Sequence, residues 1–397
     1  KSVEELFRSE WTSSAEIYLP KGALPKEGDF FTNKKMAETY LKIINESEAK
    51  FQDKKEQIEQ ARNIWSEGFV AEEIENYCKN NSVMDTTETR HKGLLTGDDL
   101  ATWSATIEKP CSYDYKNFTV CKTGPWGQGP VFLQQLALLE NYDLDSLDEN
   151  SPEFVHLVVE ATKLAFADRE AFYGDTNFNN VPMEMLLSKN YNKDRRKLIT
   201  ENASMEVRPG IIPGFGGNVV VRPKGQTAES FSKFDIGEPT VARFDEPLPN
   251  SLGETKGDTT HFDIIDKWGN MIAGTPSGGW LQSSPIIPNL GFCLSNRGQM
   301  FWLDESSPAC IGPKRRPRTT LSPSLALKDG LPYMVFGTPG GDQQDQWSLH
   351  LFLRHIHFGL NLQEAIDAPG FSTAHFPNSF FPRETDIGDR KSTRLNS

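Results

Sequence analysis

A change of texture at Gly257 constrains this chain more than any other feature. From about Glu201 to Gly257 the sequence is rich in Pro, Gly and Ser and has no hydrophobic rhythm. It then switches, through Gly257-Asp258-Thr259-Thr260-His261, into Phe262-Asp263-Ile264-Ile265-Asp266. A turn through Lys267-Trp268-Gly269-Asn270 follows, and then Met271-Ile272-Ala273-Gly274. Apolar runs flanking a Gly-Asn turn predict a strand, a tight turn and a second strand. A pair of threonines is ordinary at a strand start, where β-branched residues suit the backbone. The placement also has a chemical use. A cut before Thr259 would leave one residue carrying both a hydroxyl nucleophile and a free amine to act as its base.

Three further clusters lie downstream. Gly274-Thr275-Pro276-Ser277-Gly278-Gly279 follows the second strand. Lys314-Arg315-Arg316-Pro317-Arg318-Thr319-Thr320-Leu321-Ser322-Pro323 joins basic residues to hydroxyls ahead of another strand. Gly337-Thr338-Pro339-Gly340-Gly341-Asp342 is a glycine-rich turn between a strand and a helix. Each has a plain alternative, as loop punctuation or a solvated basic face. Glycines also let backbone N–H groups approach a ligand closely, as an oxyanion hole requires.

The first half reads as helical. Asn33 is placed to cap a helix running through Met36, Ala37, Tyr40, Leu41 and Ile44, and a charged helix follows over about Lys50–Trp65. Thr96 with Asp99 has the form of a helix start. Tyr115–Cys121 alternates like a strand, Val131–Leu139 and Pro152–Phe172 are apolar helices, and Met183–Ile199 is a further helical region. Beyond the loop, Thr260–Thr275, Gly291–Leu294, Thr320–Leu327 and Tyr333–Gly337 read as strands, with helices at Trp347–His357 and Leu362–Ile366. Helices first and alternating strands later predict antiparallel sheets faced by helices, rather than a doubly wound parallel sheet.

Composition narrows the function classes. The formal net charge is −13, which argues against nucleic acid or an anionic membrane as the main partner, since phosphate contacts need a basic face. Mean hydropathy is −0.52, which predicts a soluble chain, and no run approaches the roughly 18 apolar residues of a membrane helix. Cys78, Cys111, Cys121, Cys293 and Cys310 are scattered and odd in number, with no CxxC pair, so neither zinc nor a disulfide scaffold is indicated. Buried thiols are expected, with a Cys111–Cys121 bridge as the weaker alternative. A Gly-x-Ser-x-Gly elbow is absent, which disfavours a conventional serine hydrolase. His350, His355 and His357 invite a metal reading, but on a helix His355 lies well off the face shared by the other two.

Taken in order, these motifs resemble the γ-glutamyltranspeptidase family of N-terminal-nucleophile hydrolases, in particular its transpeptidase-like and cephalosporin-acylase-like branch. The resemblance runs from about Ser13 to Arg383. It includes Gly93-Leu94-Leu95-Thr96-Gly97-Asp98-Asp99-Leu100 and His156-Leu157-Val158-Val159-Glu160-Ala161-Thr162-Lys163-Leu164-Ala165-Phe166-Ala167-Asp168-Arg169. It implies an α+β fold, a four-layer αββα sandwich with two antiparallel sheets between helical layers. It also implies a precursor that cuts itself before Thr259, leaving two associated subunits that form one interleaved domain. Residues 1–258 would be the mostly helical large subunit, with 201–258 as a flexible pre-cleavage loop. Residues 259–383 would be the β-rich small subunit, and 384–397 a tail unlike the family.

By resemblance, Thr259 is the nucleophile, Ser277 the hydroxyl that bonds it and assists cleavage, and Gly340 and Gly341 the oxyanion turn. Thr319 and Thr320 match the hydroxyls that grip the donor's α-carboxylate. The implied chemistry needs no cofactor and no metal. It joins a γ-glutamyl or glutaryl amide donor, of the glutathione type, to water or an amino acceptor. In the run Leu294-Ser295-Asn296-Arg297-Gly298-Gln299-Met300-Phe301, Met300 falls where the family carries an Asp for the donor's ammonium, and Arg297 replaces a neutral residue. That substitution suits a carboxylate donor with no free amine, with Gln299 or Asp304 as substitutes in a shifted register. The resemblance further implies upstream strands and a donor-binding arginine that this sequence does not contain, so the chain is not expected to be active by itself. The rival from another class is an uncleaved, non-catalytic family member with a binding or structural role.

Overall fold

The computed structural model describes residues 3–85, 87–223, 259–278, 281–380 and 383–388. Among these the chain divides into two compact units. One draws on the described parts of Lys1–Ile107 and Gly278–Asn296, the other on those of Glu108–Ala228, Pro239–Ser277 and the chain from Arg297 onward. Each unit therefore takes chain from both sides of Thr259.

The first unit holds helices α1 (Glu4–Ser9), α2 (Thr12–Tyr18), α3 (Lys34–Lys50), α4 (Lys54–Ser66), α5 (Phe69–Asn80) and α6 (Gly97–Thr102). Two small antiparallel ribbons accompany them, β1 (Ser82–Met84) with β2 (Arg90–Lys92), and β7 (Ile286–Ile287) with β8 (Phe292–Cys293). The caps sit where the sequence puts them. The Asn33 side chain accepts from Met36 N–H, and Thr96 with Asp99 forms a full capping box. The buried face of α3 differs from the expected one. Thr39, Ile43 and Ser47 face inward, while Tyr40, Leu41 and Ile44 are exposed. Polar anchoring decides this: Thr39 Oγ1 donates to Leu290 O, and Asn33 Nδ2 donates to Gly291 O.

The second unit is built on a four-stranded antiparallel sheet in the order β10-β9-β4-β3. Its strands are β3 (Cys111–Tyr115), β4 (Phe118–Lys122), β9 (Ser324–Lys328) and β10 (Leu331–Phe336). Tyr115–Cys121, expected as one strand, is instead a hairpin corner. Lys116 adopts φ 53° and reverses the chain there. Helices α7 (Pro130–Leu139), α8 (Pro152–Phe172) and α11 (Gln344–His357) supply most of the apolar partner surface, and every residue of α7 is buried. The rings of Phe118 and Phe336 on the sheet meet Phe352 of α11, and Phe336 also meets Phe132 of α7. Such aromatic pairs add about 0.5–1.5 kcal/mol each beyond area burial. Helix α12 (Leu362–Asp367) follows α11. The expected helix over Met183–Ile199 is two pieces, α9 (Met183–Leu186) and α10 (Lys189–Arg196), because Ser188 caps the second.

Strands β5 (Phe262–Ile265) and β6 (Met271–Gly274) form the predicted hairpin, which packs against β9 and β10. The fold is thus mixed α+β, as expected. The two sheets of the expected sandwich are not both seen among the described residues: beside the four-stranded sheet there is only this ribbon packed on it. Its Phe262, Ile264 and Ile265 are exposed, because β5 has no strand neighbour there except β6. The loop expected over 201–258 is described as far as Pro223. It runs along α8, with Gly210 N–H donating to Asp168 Oδ1 at 2.6 Å and Gly217 N–H to Ala171 O at 2.8 Å. Residues 224–258 lie outside the described residues. The tail expected from 384 begins with a bonded stretch, in which Thr385 N–H donates to Arg222 O and Asp386 N–H to Ala374 O. Residues 389–397 lie outside the described residues. No described helix is long and apolar enough to cross a membrane.

Candidate active site

The β5–β6 hairpin fixes the first part of the site. Asp266 organises its tip, the carboxylate accepting from Trp268 N–H and Asn270 N–H, each at 2.9 Å, while Gly269 takes φ 83°. Pairing of Phe262 with Gly274 then propagates toward the open end of the ladder. Thr260 N–H donates to Pro276 O at 3.2 Å, His261 Nδ1 lies 2.8 Å from Thr275 Oγ1, and Thr259 Oγ1 lies 3.1 Å from Ser277 Oγ. Thr259 is buried, 7% exposed, so its hydroxyl is shielded from bulk water. Residue 258, on the other side of the bond expected to be cut, lies outside the described residues.

His261 connects this hairpin to the glycine-rich turn. Its Nε2 lies 2.9 Å from Asp263 Oδ1, and burial raises the Asp263 carboxyl above its ordinary value against the opposing pull of His261. The ring also lies on the end of β10, where a Cβ on Gly337 would fall 2.3 Å from His261 Cε1. From Gly337 the chain enters the turn. Gly340 and Gly341 take φ 126° and 57°, a region that glycine enters without a Cβ penalty. At Gly340 a Cβ would in addition fall 2.4 Å from Trp347 Cζ3. Asp342 anchors the far side of the turn, accepting from Ser379 N–H at 2.8 Å, Ser379 Oγ at 2.6 Å and Arg169 Nη1 at 2.5 Å.

Thr319 and Thr320 are buried on a strap leading to β9, which is why that strand begins only at Ser324. The strap is held by Thr319 N–H donating to Trp126 O at 3.0 Å and Gln128 N–H donating to Thr319 O at 2.9 Å. Two of the basic residues ahead of it are held internally. Arg316 pairs with Asp175 and Glu108 and stacks over Trp126, and Arg318 is buried against Glu170. Below the strap, Ser322 Oγ donates to Asp345, which also pairs with the buried Lys122.

Arg297 and Met300 stand in a third group, the 3₁₀ turn Arg297–Met300. Arg297 Nη1 lies 3.1 Å from Met300 Sδ, and Met300 is 2% exposed. Arg383 holds the turn by donating to Gln299 O at 2.8 Å and Phe301 O at 2.6 Å, its guanidinium over Trp302. Burial lowers Arg383 to about 10. Asp304 accepts from Ser306 N–H and Oγ, bonds that lower its carboxyl.

The three histidines have separate surroundings. His350 is buried against Phe371, and burial lowers it to about 3. His355 bonds Tyr333 and Leu360 O, while His357 bonds Tyr115 and Asp145. No group of three His, Cys, Asp or Glu suited to a metal occurs among the described residues. None of the five cysteines forms a disulfide, including Cys111 and Cys121 on the adjacent strands β3 and β4.

Residues 1–395 match the family described as Gamma-glutamyltranspeptidase. The chain belongs to that family. Among curated members, the glutathione hydrolase proenzyme of Bacillus subtilis (strain 168) is 28% identical over 91% of this chain and 54% of its own length. That of Escherichia coli (strain K12) is 26% identical over 92% and 55%. The acylase ACY 1 proenzyme of Pseudomonas sp. (strain SE83) is 29% identical over 70% and 43%. The chain therefore spans about half the length of the curated relatives it matches. The solved structure of LmbA2991HD superposes with a TM-score of 0.82 at 48% identity, over 97% of this chain and 63% of that one. A cephalosporin acylase from Bacillus halodurans gives 0.69 at 24% identity, over 93% and 56%, a likeness of fold.

Within this γ-glutamyltranspeptidase-family chain, sequence reading singled out the residues with chemistry at the surface of the site and missed those beneath it. Gln128, Arg169, Asp342 and Asp345 are polar residues buried at 0–2% exposure behind the strap and the turn. Two signals were available: a glutamine enclosed by glycines at 127 and 129, and an Asp-Arg-Glu run near the end of the helix Pro152–Phe172. Neither indicates partners that lie far away in sequence.

Proposed function

We propose that this chain belongs to a self-cleaving amidohydrolase and acyltransferase acting on γ-glutamyl or glutaryl amides. The peptide bond between Asp258 and Thr259 is cut, leaving residues 1–258 and 259 onward as two subunits of one four-layer αββα sandwich. The freed amine of Thr259, with an ordinary pKa near 7.7–8.0, takes the proton from its own hydroxyl. The oxygen attacks the donor's side-chain amide carbonyl, and the tetrahedral oxyanion lies on the backbone amides of Gly340 and Gly341. Collapse expels the protonated amine and leaves an ester on Thr259, which water or an amino acceptor then releases. Thr319 and Thr320 hold the donor carboxylate.

One observation carries this reading: the hydroxyls of the buried Thr259 and the half-buried Ser277 lie 3.1 Å apart at the open end of a hairpin. Family membership and the names of its glutathione hydrolase and acylase relatives support it. For the donor, a buried Met300 beside Arg297 favours a carboxylate without an α-ammonium, of the glutaryl type.

The test uses the complete protein. Two fragments, the smaller beginning at Thr259 by terminal sequencing, are expected together with anilide hydrolysis. A persistent single band without turnover would favour the uncleaved, non-catalytic alternative. Glutaryl anilide is expected to outpace γ-glutamyl anilide, and the reverse order would reject the donor assignment.

A further inference from the structure

Gln128 is fully buried, and its three polar groups reach three different parts of the candidate site. Its backbone N–H donates to Thr319 O at 2.9 Å, on the strap that carries the hydroxyl pair. Its side-chain Nε2 donates to Gly341 O at 3.1 Å, on the glycine turn. Its side-chain Oε1 accepts from Arg169 Nη1 at 2.9 Å, and the same Nη1 donates to Asp342 Oδ1. Arg169 is held in turn by the rings of Phe166 and Phe376 and by Glu170, which also binds Arg318, the residue before Thr319. Strap and turn are separate in sequence and share no strand. Gln128 is bonded to both, and Arg169 fixes its amide orientation, since an arginine nitrogen offers only donors and so selects the oxygen.

We infer that Gln128 is a positioning residue that sets the spacing between the donor-carboxylate strap and the oxyanion turn, so that a donor bound at one presents its carbonyl to the other. The inference rests on the function proposed above and adds a residue to it. Its physical basis is the cost of misplacement. A shift of about 1 Å in a reacting group lowers rate by about 10²-fold, whereas the strap keeps its own anchors. Because the link to Thr319 is a backbone bond, side-chain substitution leaves that link in place and acts most directly on the turn. Ligand affinity and turnover should therefore separate.

Two variants of the complete protein test this. Gln128→Met keeps volume and loses the side-chain bonds to Gly341 O and Arg169, together with the one that Gln128 makes to the buried Asp345 carboxylate. Gln128→Glu keeps an acceptor for Arg169 but turns an acceptor toward Gly341 O. Both are expected to lower kcat for glutaryl anilide about 10²-fold per titrated Thr259 site, with the inhibition constant of glutarate within about twofold of wild type. A Gln128→Met enzyme with wild-type kcat would overturn the inference, because the Gly341 bond would then be dispensable. So would a loss confined to the fraction of titratable sites with kcat per site unchanged. Hydrogen exchange supplies a readout independent of turnover. Amides of residues 340–343 should exchange at least tenfold faster in Gln128→Met, with those of α8 unchanged, and equal protection at the turn would reject the idea. A wild-type protein that never turns over the anilide would defeat the proposed reaction, while exchange at the turn would still decide the role of Gln128.

Discussion

Thr259 and Ser277 stand at equal separations from Trp268 at the tip of one hairpin, and their hydroxyl oxygens meet 3.1 Å apart at its open end. The contact follows from ladder register, since each pair from Asp266 and Asn270 outward repeats the same opposition. Thr259→Ala is expected to leave one band on a gel and no anilide hydrolysis. Ser277→Ala should slow self-cleavage at least about a hundredfold, the low end of what a positioned proton-transfer partner supplies. Unchanged cleavage in Ser277→Ala would detach that hydroxyl from the chemistry.

Gly340 carries two constraints, a φ of 126° and the Trp347 ring against the place a Cβ would occupy. Gly340→Ala should cost about 1–3 kcal/mol in urea unfolding from backbone strain, and should lower kcat as the turn moves. Trp347→Ala in the same chain removes the overlap and leaves the φ penalty. Partial recovery of stability is therefore expected, and full recovery would mean the φ constraint is negligible.

Gly337 seats the His261 ring at the junction between hairpin and turn. Gly337→Ala is expected to destabilise by about 1–3 kcal/mol, because the new methyl displaces a ring bonded at both nitrogens. The double variant with His261→Ala should recover most of that loss in the melting temperature. A double variant less stable than the sum of the singles would refute the steric account.

His350 gives a pH dependence with a definite sign. Burial lowers its folded value to about 3, against about 6.5 unfolded. Between those values the unfolded chain binds the proton and the folded one does not. This contribution therefore weakens stability as pH falls below about 6.5, and stops changing below about 3. From pH 7 to 5 the loss amounts to about 2 kcal/mol. His350→Leu should flatten that part of the urea-midpoint profile, and an unchanged slope would show that the ring is not the group responsible.

Much of the local structure was legible because it depends on nearest neighbours along the chain. The cap at Asn33, the capping box at Thr96 and Asp99, the helix Pro152–Phe172 and the hairpin around Trp268 all follow from residues within a few positions. The failures have a shared cause. On α3, Thr39 faces inward because Leu290, far along the chain, offers it a carbonyl. The apparent strand over Tyr115–Cys121 breaks because Lys116 reverses direction, which an alternating pattern does not reveal. The basic run ahead of Thr319 had a solvated face as one reading, but Arg316 is paired with Asp175 and Glu108, and Arg318 with Glu170.

By itself the sequence determined where Thr259 and Thr260 would sit, that a hairpin would carry them, and which glycines would make the turn. Those properties need only hydrophobic period, turn chemistry and the absence of a Cβ. Tertiary structure alone decided how the strap at Thr319 and the turn at Gly341 are held to one another. Gln128 and Arg169 link segments separated by up to 213 positions. A buried polar residue must find its partners wherever the fold brings them, and no local pattern encodes that distance.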